Sequence, residues 1–498
     1  MTLQQILVST RNPGIPLGTS QLIAKYSLVL SDIAALLLAA LLATSLHWLR
    51  LDLEPTGLSA LWESSIAGHR IQILVLLSGI AIGWFLMMGH YTRRRPFWDE
   101  FAEILRILFL LAALDATLQY ITRLPFSRFW FVTVWISALA LIPILRILTK
   151  TLLLRLNLWQ RHAIVLGTGR NAVDAVAALK SERLMGYDII AFATPRELTT
   201  ADARTLRAGG EQIPIVRFNP SGLAELRDLG KATIVVAFEQ EDLEQESKLI
   251  ARLHRQCDDL HIVPAMRGLP LFGTRVHYFF RHELFFLTLG NNLSRPGARA
   301  VKRLFDMITA SAILIVGLPI FAYLAALIRR DGGSTFFAHE RIGQNGVPFR
   351  CLKFRTMVPN ADAVLDQLLE QDSAAREEWN RDFKLRDDSR ITGVGRFLRK
   401  YSLDELPQLW NVIKGEMSLV GPRPIVESEQ ERYGEDLEYY LETKPGMSGL
   451  WQISGRNDTG YETRVYLDTW YAKNWSLWMD IVILIKTARV VLKYEGAY

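Results

Sequence analysis

Four long apolar stretches fill the first third of the chain, at roughly 26–48, 71–89, 101–121 and 129–149. Each is close to the ~20 residues that a helix needs to cross about 30 Å of hydrocarbon. Several such segments are unusual in a soluble enzyme, and they agree with the composition, since 50% of the 498 residues are apolar. The sequence therefore predicts an N-terminal bundle of four transmembrane helices within residues 1–157.

Basic residues around these segments indicate their orientation. Three arginines, Arg93–Arg95, separate the second and third segments, and four basic residues follow between positions 146 and 161. By the positive-inside rule, the N-terminus, the arginine loop and everything after residue 150 face the cytoplasm. An alternative is that the third segment, interrupted by Glu103, Arg106 and Asp115, only lies in the membrane interface. An odd number of crossings would then place the later domains outside.

The net charge and the cysteines indicate the cellular compartment and the kinds of binding partner. The net charge of +6 suits a surface that faces anionic lipid or phosphorylated substrates, and we expect no nucleic-acid partner. The two cysteines, Cys257 and Cys351, have no spacing typical of a disulfide framework or a zinc site. This pattern fits a reducing compartment.

Residues 158–290 alternate between strand patterns and helical patterns. The segment HAIVLGTGRNAVDAVAAL, residues 162–179, has the pattern of a strand, a glycine turn and a helix. Further strands are predicted at 187–193, 213–218, 231–238 and 260–266. The alternation predicts a Rossmann-like α/β module with a largely parallel sheet.

The glycine turn of this module, Gly167-x-Gly169-x-x-Ala172, resembles a dinucleotide fingerprint, in which phosphate binds at a helix N-terminus. However, no acidic residue closes the second strand to hold a ribose. Two interpretations therefore stay open: a regulatory or dimerising module, or a working nucleotide site.

A fifth apolar stretch runs from Leu304 to Ile328. Basic pairs flank both of its ends, at 302–303 and 329–330, so both ends are expected on the cytoplasmic side of the membrane. Pro319 removes a helix hydrogen bond in mid-segment. We therefore predict a re-entrant helix that breaks at Leu318 and Pro319 and returns to the same face. The alternative is an ordinary kinked spanning helix, which would leave the rest of the chain outside.

The last 200 residues contain several ordered motifs: HERIGQNGVPFRCLKFRTM (339–357), SLDELPQLWNV within 387–424, GPRP, and KPGMSGLWQISGRND (444–458). With these motifs, residues 291–498 resemble the catalytic domain of the bacterial sugar transferase family, the monotopic phosphoglycosyl transferases. Four spanning helices and an α/β module before this domain are similar to the long, WbaP-like branch of undecaprenyl-phosphate galactose phosphotransferases. The resemblance implies a mainly α catalytic domain on the cytoplasmic face of the bacterial inner membrane.

The resemblance also implies a reaction. Asp404 would be the nucleophile that forms an aspartyl-phosphosugar intermediate, and Glu405 would assist with Mg²⁺ or with a proton. The substrates would be a UDP-hexose, with galactose favoured, and undecaprenyl phosphate. The product would start an O-antigen, capsule or exopolysaccharide unit, and long members suggest a homodimer. Alternatives are UDP-glucose or a UDP-N-acetylhexosamine as donor, or a non-catalytic membrane scaffold.

The residues themselves are consistent with this chemistry. Asp404 and Glu405 precede Pro407, a residue typical of a first helical turn, so the pair is predicted at a helix N-terminus, where the helix dipole favours negative charge. The alternative is a purely structural role, a capping box in which Ser402 and Glu405 only satisfy backbone donors.

Basic and polar residues near these motifs are candidates for binding phosphate and nucleotide. Arg423 lies between two prolines, which would present a bidentate donor rigidly. The other candidates are Lys353, Arg355 and Arg390 for phosphate, and Gln452 with Arg456 for the nucleotide side. The aromatic tail at 466–492 is predicted to be an interfacial helix followed by a packed helix.

Overall fold

The computed structural model describes residues 17–50, 65–122, 127–195, 205–218, 232–257, 259–270, 272–279, 285–372, 376, 388–454 and 460–493. The chain divides into two compact units, Met1–Arg267 and Gly268–Tyr498. The first unit contains both the helical bundle and the α/β module. The predicted boundaries after residues 157 and 290 stay predictions.

The first unit begins with four long helices: α1 (Leu17–Arg50), α2 (Ser65–Met87), α3 (Phe97–Ile121) and α4 (Arg128–Arg155). They coincide with the four apolar stretches, so the predicted helices are confirmed as helices. By length and composition, the helical segments Gly18–Arg50, Arg70–Met87 and Arg128–Arg155 can cross a membrane. Among the described residues, α3 is not one of the helices that meet that standard.

Glu100 of α3 faces the other helices of the bundle. Arg146 of α4 donates to Asp32 of α1 at 2.6 Å and to Glu100 of α3 at 2.7 Å. Lys150 donates to the other oxygen of Glu100 at 2.5 Å. All four side chains are buried. Asp115 of α3 is also buried and accepts hydrogen bonds from Gln119 and from Trp135 of α4. Arg106 is exposed, so the alternative of an interfacial α3 stays open.

The α/β module follows within the same unit. Its strands are β1 (Arg161–Leu166), β2 (Tyr187–Thr194), β3 (Thr205–Ala208), β4 (Glu211–Arg217), β5 (Thr233–Val236) and β6 (Leu260–Ile262). Its helices are α5 (Arg170–Ser181), α6 (Gln240–Gln245), α7 (Ser247–Gln256) and the 3-10 turn Arg183–Met185.

The sheet has the order β3-β4-β2-β1-β5-β6, and only the edge pair β3–β4 is antiparallel. The prediction of a largely parallel sheet is confirmed. Strands β1 and β5 lie in the middle of the order, and their apolar side chains are buried because helices cover a parallel sheet on its faces. Strand β3 was not predicted.

The second unit contains the remaining elements. The strands are β7 (Arg275–Tyr278), β8 (Phe285–Thr288), β9 (Phe336–Ile342), β10 (Pro348–Phe354), β11 (Ser418–Val420) and β12 (Gly446–Ser448). The helices are α8 (Pro296–Ile328), α9 (Ala361–Gln371), α10 (Gly393–Lys400), α11 (Gln408–Lys414), α12 (Leu437–Glu442), α13 (Leu450–Ile453), α14 (Tyr461–Asn474) and α15 (Leu477–Lys493). The 3-10 segments are Arg329–Asp331, Gln344–Gly346, Leu403–Glu405 and Glu427–Asp436.

Helix α8 differs from its predicted form. It is continuous over 33 residues, with Pro319 in its interior, so the chain does not leave the helical conformation at Leu318 and Pro319. A proline removes one hydrogen bond and crowds the preceding turn, which bends a helix without having to end it when the flanking turns are intact. By length and composition α8 can also cross a membrane.

A shared core holds the C-terminal elements around α8. Apolar side chains from α8, β10, α11, β11, α14 and α15 pack in one buried cluster. Lys302 of α8 donates to the buried Asp480 of α15 at 2.7 Å, and Tyr471 and Trp475 donate to the same carboxylate. These bonds fix α8, α14 and α15 around β11, which leads directly into the predicted phosphate-binding segment at 421–424.

Candidate active site

A cavity of about 910 Å³ opens in the second unit. Its volume is within the ~300–1,000 Å³ range of small-molecule sites. Six of the predicted site residues line it: Lys353, Arg355, Asp404, Glu405, Arg423 and Gln452. Ile313 of α8 and Leu484 of α15 supply an apolar part of the wall. The lining thus combines charged and apolar side chains.

Lys353, at the end of β10, joins the two acidic residues. Its Nζ atom lies 2.8 Å from Glu405 Oε1 and 3.7 Å from Asp404 Oδ2. The antiparallel β9–β10 hairpin carries Lys353 to this position. The side chain of Asp404 is 14% exposed, whereas that of Glu405 is 32% exposed. The more enclosed carboxylate therefore lies beside a cation that is already bonded to its neighbour.

Burial and charge act on the dyad in opposite directions. Burial raises the pKa of Asp404 above its usual range, and the Glu405 carboxylate raises it further, while Lys353 and Arg399 lower it. For Lys353, burial lowers the pKa, but the attraction of Glu405 and Asp404 exceeds this effect and raises it overall. Lys353 is therefore charged at neutral pH and opposes protonation of Asp404.

The backbone around the dyad explains its exposure to the cavity. Asp404 lies in the 3-10 turn Leu403–Glu405, which follows Ser402 in the left-handed conformation, with φ of 53°. The Ser402 side chain makes no capping hydrogen bond, so the capping-box alternative is wrong for this turn. Pro407 directly precedes α11, as the prediction of a helix N-terminus requires.

Arg423 and Gln452 also line the cavity, on the wall formed by the loop after β11 and by α13. The Arg423 guanidinium lies over the Trp451 ring, 5.2 Å from its centroid, which supports a cation–π interaction. The structure thus brings Asp404, Glu405, Lys353, Arg423 and Gln452 to one cavity. Arg456 lies outside the described residues.

Two predicted phosphate ligands have other structural partners. Arg355 lines the cavity, but its guanidinium donates to the backbone oxygens of Ser334, Met357 and Ile328. Arg390 is buried and forms a bidentate pair with Asp388, and it is not part of the described cavity lining. These bonds hold Arg355 in the cavity wall, whereas Arg390 pairs with Asp388 away from the described lining.

The structure adds residues that sequence reasoning missed. Arg399 of α10 lines the cavity and donates through Nε to Thr356 Oγ1 at 2.9 Å. Its guanidinium charge also lowers the pKa of Asp404. A signal was present, because Arg399 belongs to the basic run directly before the dyad. Trp451 was another omission, since it supports Arg423.

The predicted metal site consists of the two carboxylates of the dyad. Among the described residues, no group of three or more histidine, cysteine, aspartate or glutamate side chains is placed to hold a metal ion. Mg²⁺ is commonly bound through one or two carboxylates plus substrate phosphates, with waters completing its shell. Asp404 and Glu405 fit this kind of site, in which a diphosphate supplies the other ligands.

The glycine turn of the α/β module lies in the first unit and already contains a carboxylate. Glu239 Oε1 accepts a hydrogen bond from the backbone N–H of Asn171, in the first turn of α5, at 2.7 Å. A Cβ atom at Gly169 would lie 2.6 Å from the same oxygen, so only glycine leaves room for it. Glu239 therefore occupies the position where a dinucleotide phosphate would bind. This arrangement favours the regulatory or dimerising interpretation over the nucleotide site.

Known proteins resemble this chain over most of its length. It is 47% identical over 431 residues to the undecaprenyl-phosphate galactose phosphotransferase of Salmonella typhimurium, covering 86% of this chain and 89% of that protein. It is 44% identical over 436 residues to the UDP-galactose-lipid carrier transferase of Erwinia amylovora, covering 86% and 89%. The exopolysaccharide production protein ExoY of Sinorhizobium fredii is 52% identical over 215 residues, which are 43% of this chain and 95% of that protein.

The family comparison agrees with the site. Residues 297–494 match the model of the family described as bacterial sugar transferase, and this range contains the whole cavity lining. Together with relatives that align across both units, this match confirms the predicted family. The chain belongs to the bacterial sugar transferase family.

Proposed function

We propose that this chain transfers a hexose-1-phosphate from a UDP-sugar to undecaprenyl phosphate and releases UMP. The observation that carries the proposal is the placement of Asp404 beside Lys353 in a cavity that also contains Arg423. A carboxylate nucleophile, a cation that keeps it ionised and a guanidinium for phosphate are the groups that such a transfer requires. Two relatives that align over most of the chain are named as an undecaprenyl-phosphate galactose phosphotransferase and a UDP-galactose-lipid carrier transferase.

The transfer takes two displacements at one phosphorus atom. Asp404 attacks the β-phosphorus of the UDP-sugar, a carboxylate–phosphorus bond forms, and the bond to the UMP oxygen breaks. UMP leaves with the electron pair of that bond. An oxygen of undecaprenyl phosphate then attacks the same phosphorus, and the Asp404 carboxylate leaves. The products are UMP and a polyprenyl diphosphate sugar, and the enzyme returns to its starting state.

The charges around the nucleophile favour its reactive form. Asp404 attacks only as a carboxylate, and burial disfavours that form, so Lys353 offsets the effect of burial. Arg423 lines the same cavity, and its guanidinium can donate two hydrogen bonds to the diphosphate. Mg²⁺, held by Asp404 and Glu405 with the diphosphate, would neutralise charge on the phosphate oxygens.

The apolar part of the cavity wall suits the lipid carrier. Ile313 and Leu484 come from α8 and α15, and the outer surface of α8 carries exposed apolar side chains such as Ile315 and Val316. We propose that α8 enters the bilayer from the cytoplasmic face and returns to it, bent at Pro319. This topology keeps residues 329–493 on the side where UDP-sugars are made, in agreement with the basic pairs at both ends of the helix.

Finer assignments rest on the relatives and belong to the same proposal. Galactose is the proposed sugar, because two relatives are named for it. The product would begin an O-antigen, capsule or exopolysaccharide unit in the bacterial inner membrane. A homodimer is proposed, with the Rossmann-like module in a regulatory or dimerising role.

The test is UMP release from a panel of UDP-sugars by the full chain in lipid nanodiscs, with undecaprenyl phosphate and Mg²⁺. We expect UMP with UDP-galactose in excess over UDP-glucose and UDP-N-acetylhexosamines. Asp404→Asn should lower the rate by at least about a thousandfold, as expected for loss of a covalent nucleophile. Asp366→Asn, an exposed carboxylate of α9 outside the cavity, is the matched control.

The covalent step has its own measurement. Incubation with UDP-galactose alone should add the mass of a hexose phosphate to the peptide that contains Asp404. A wild-type rate in Asp404→Asn, or an adduct on another residue, would overturn the assignment of the nucleophile. Absence of UMP release with every donor would favour the non-catalytic scaffold instead.

A further inference from the structure

Arg423 shares its aromatic support with a second guanidinium. Trp451 is 7% exposed, and its ring centroid lies 5.2 Å from the Arg423 guanidinium carbon and 5.4 Å from that of Arg464. Arg464 is itself 7% exposed. Two like charges at one buried ring repel each other, so the arrangement requires negative charge nearby.

Asp468 supplies part of that charge from α14. Its carboxylate is 2% exposed and lies 3.9 Å from Arg464 Nε. Tyr433 donates its hydroxyl to Asp468 Oδ2 at 2.9 Å. The backbone and the charge of Arg423 also favour the charged form of this carboxylate and act to lower its pKa. Asp468 therefore lies close to Arg464 and interacts electrostatically with Arg423, the two cations that share the Trp451 ring.

Several further titratable and charged groups surround Asp468. The titratable and charged groups that act on it or through its partners come from the loop after β11, the 3-10 segment 427–436, α12, α14 and β9. They are Arg423, Tyr433, Tyr440, Tyr461, Arg464, Glu429 and Arg341. Glu429 is a second counter-charge for Arg464, at 3.3 Å, and it also faces Arg341 at 3.8 Å.

Keeping a carboxylate at this place is unfavourable for folding. Burial raises the pKa of Asp468 to about 7, although Tyr433, Arg464 and Arg423 all act to lower it. An asparagine of the same shape would avoid the burial of charge. The observation that a charged group is nevertheless placed between the phosphate-binding loop and Arg464 points to a role in the site.

We propose that Asp468 is a positioning residue for Arg423, and that its ionised form holds the Arg423 backbone and balances Arg464 so that the guanidinium of Arg423 meets the diphosphate of the donor. The inference rests on the proposed function only for the identity of the ligand, a nucleoside diphosphate sugar. It predicts that donor binding weakens when Asp468 takes up a proton. A simple field effect predicts the opposite, because neutralising Asp468 makes the site more positive and would tighten binding of an anion.

Binding in the absence of turnover separates these two effects. We would measure the affinity of Asp404→Asn protein for UDP-galactose by calorimetry in nanodiscs from pH 6 to 8, since this diphosphate has no ionisation in that range. Adding Asp468→Asn should weaken binding about tenfold at pH 8. The difference should vanish near pH 6, where Asp468 of the Asp404→Asn protein takes up a proton and becomes neutral, like the asparagine that replaces it in the double variant. The pH step, with a midpoint near 7, should be absent from the double variant.

A second variant keeps the carboxylate and moves its titration. Tyr433→Phe removes a hydrogen bond that stabilises the charged form, so the midpoint of the pH step should move to higher pH. Tyr440→Phe is the matched control, because Tyr440 lies in the same cluster but donates to the backbone oxygen of Ile342. It should lower stability without moving the midpoint.

The outcomes distinguish the two proposals. Equal or tighter binding in Asp404→Asn/Asp468→Asn at pH 8, a difference that persists at pH 6, or an unmoved midpoint in Tyr433→Phe overturns the positioning role alone, provided that the wild type releases UMP. If the wild type neither binds UDP-galactose nor releases UMP, the transfer function is overturned, and with it the ligand assigned to Arg423.

Discussion

The Nζ atom of Lys353 lies 2.8 Å from Oε1 of Glu405, the residue that directly follows the proposed nucleophile. The ion pair holds a positive charge at a fixed place beside Asp404 without bonding tightly to Asp404 itself, whose Oδ2 is 3.7 Å away. A nucleophile that was strongly paired would have to lose that partner before attack. Glu405 thus anchors the cation, and Asp404 remains available to phosphorus.

Removing the charge of Lys353 should impair the enzyme in a pH-dependent way. In Lys353→Met, the pKa of Asp404 rises further, because burial and Glu405 then act without the main opposing cation. We expect the acid limb of the UMP-release profile to move to higher pH and the rate at pH 7 to fall by roughly one hundredfold. Lys353→Arg should retain more of the rate, since it keeps the charge.

Lys414→Met, at the exposed end of α11, is the control for loss of a lysine near the dyad. It should behave as the wild type in the same assay. A Lys353→Met profile that falls in height without moving along the pH axis would contradict the proposed electrostatic role.

Stability should depend on pH through Asp468. Because its pKa in the folded chain is about 7 and its ordinary value is 3.8, the folded state holds the proton more tightly than the unfolded state. This favourable contribution is complete below pH 3.8 and is lost as the pH rises through 7. We expect the unfolding temperature of the wild type to fall between pH 6 and pH 8, and the fall to be smaller in Asp468→Asn. Identical slopes for the two proteins would contradict this assignment.

The carboxylate of Glu239 should behave as a built-in cap of α5. Glu239→Ala removes the acceptor for the Asn171 N–H and should destabilise the start of α5 by about 1 kcal/mol. Hydrogen exchange of the full chain should show faster exchange at Asn171, whereas Glu241→Ala, an acidic neighbour on α6, should not change it. Nucleotides such as NAD should leave the wild-type exchange at this turn unchanged. Protection by a nucleotide would restore the alternative of a working site.

The buried charges of the helical bundle should be essential for its assembly. Arg146→Met leaves Asp32 and Glu100 without their shared partner, and loss of one member of a buried ion network typically costs about 3–5 kcal/mol. Arg106→Met removes an exposed arginine of α3 and is the control. The measurement is the unfolding temperature of detergent-solubilised protein. Equal effects of the two substitutions would show that the network is dispensable.

Patterns within short windows predicted most of the architecture. The apolar stretches became α1–α4 and α8 because hydropathy over ~20 residues is a local property, and alternation of strands and helices predicted the parallel sheet around β1. The motif around Asp404 and Pro407 placed the dyad directly before a helix, which α11 confirms. Local pattern was insufficient at Pro319, where intact helical turns on both sides kept α8 continuous.

Side-chain partners from distant parts of the chain were not predictable from the sequence. The sequence marks Arg390 and Arg355 as basic, but it does not show that Asp388 and three backbone oxygens engage them. Glu239 lies 68 residues from Asn171, which it caps. Likewise, Tyr433 and Asp468 are 35 residues apart and meet only when α14 packs against the 427–436 segment.

Arg355 also connects helix α8 to the strand that carries Lys353. Its guanidinium bonds the last carbonyl of α8, at Ile328, and its backbone continues the strand that ends just after Lys353. A bilayer of different thickness changes the tilt of a hydrophobic helix. With α8 in the bilayer as proposed, we expect such a change to reach the Lys353 ammonium group through the bond between Arg355 and Ile328. Acyl-chain length of the surrounding lipid is therefore expected to set turnover even when every substrate is saturating.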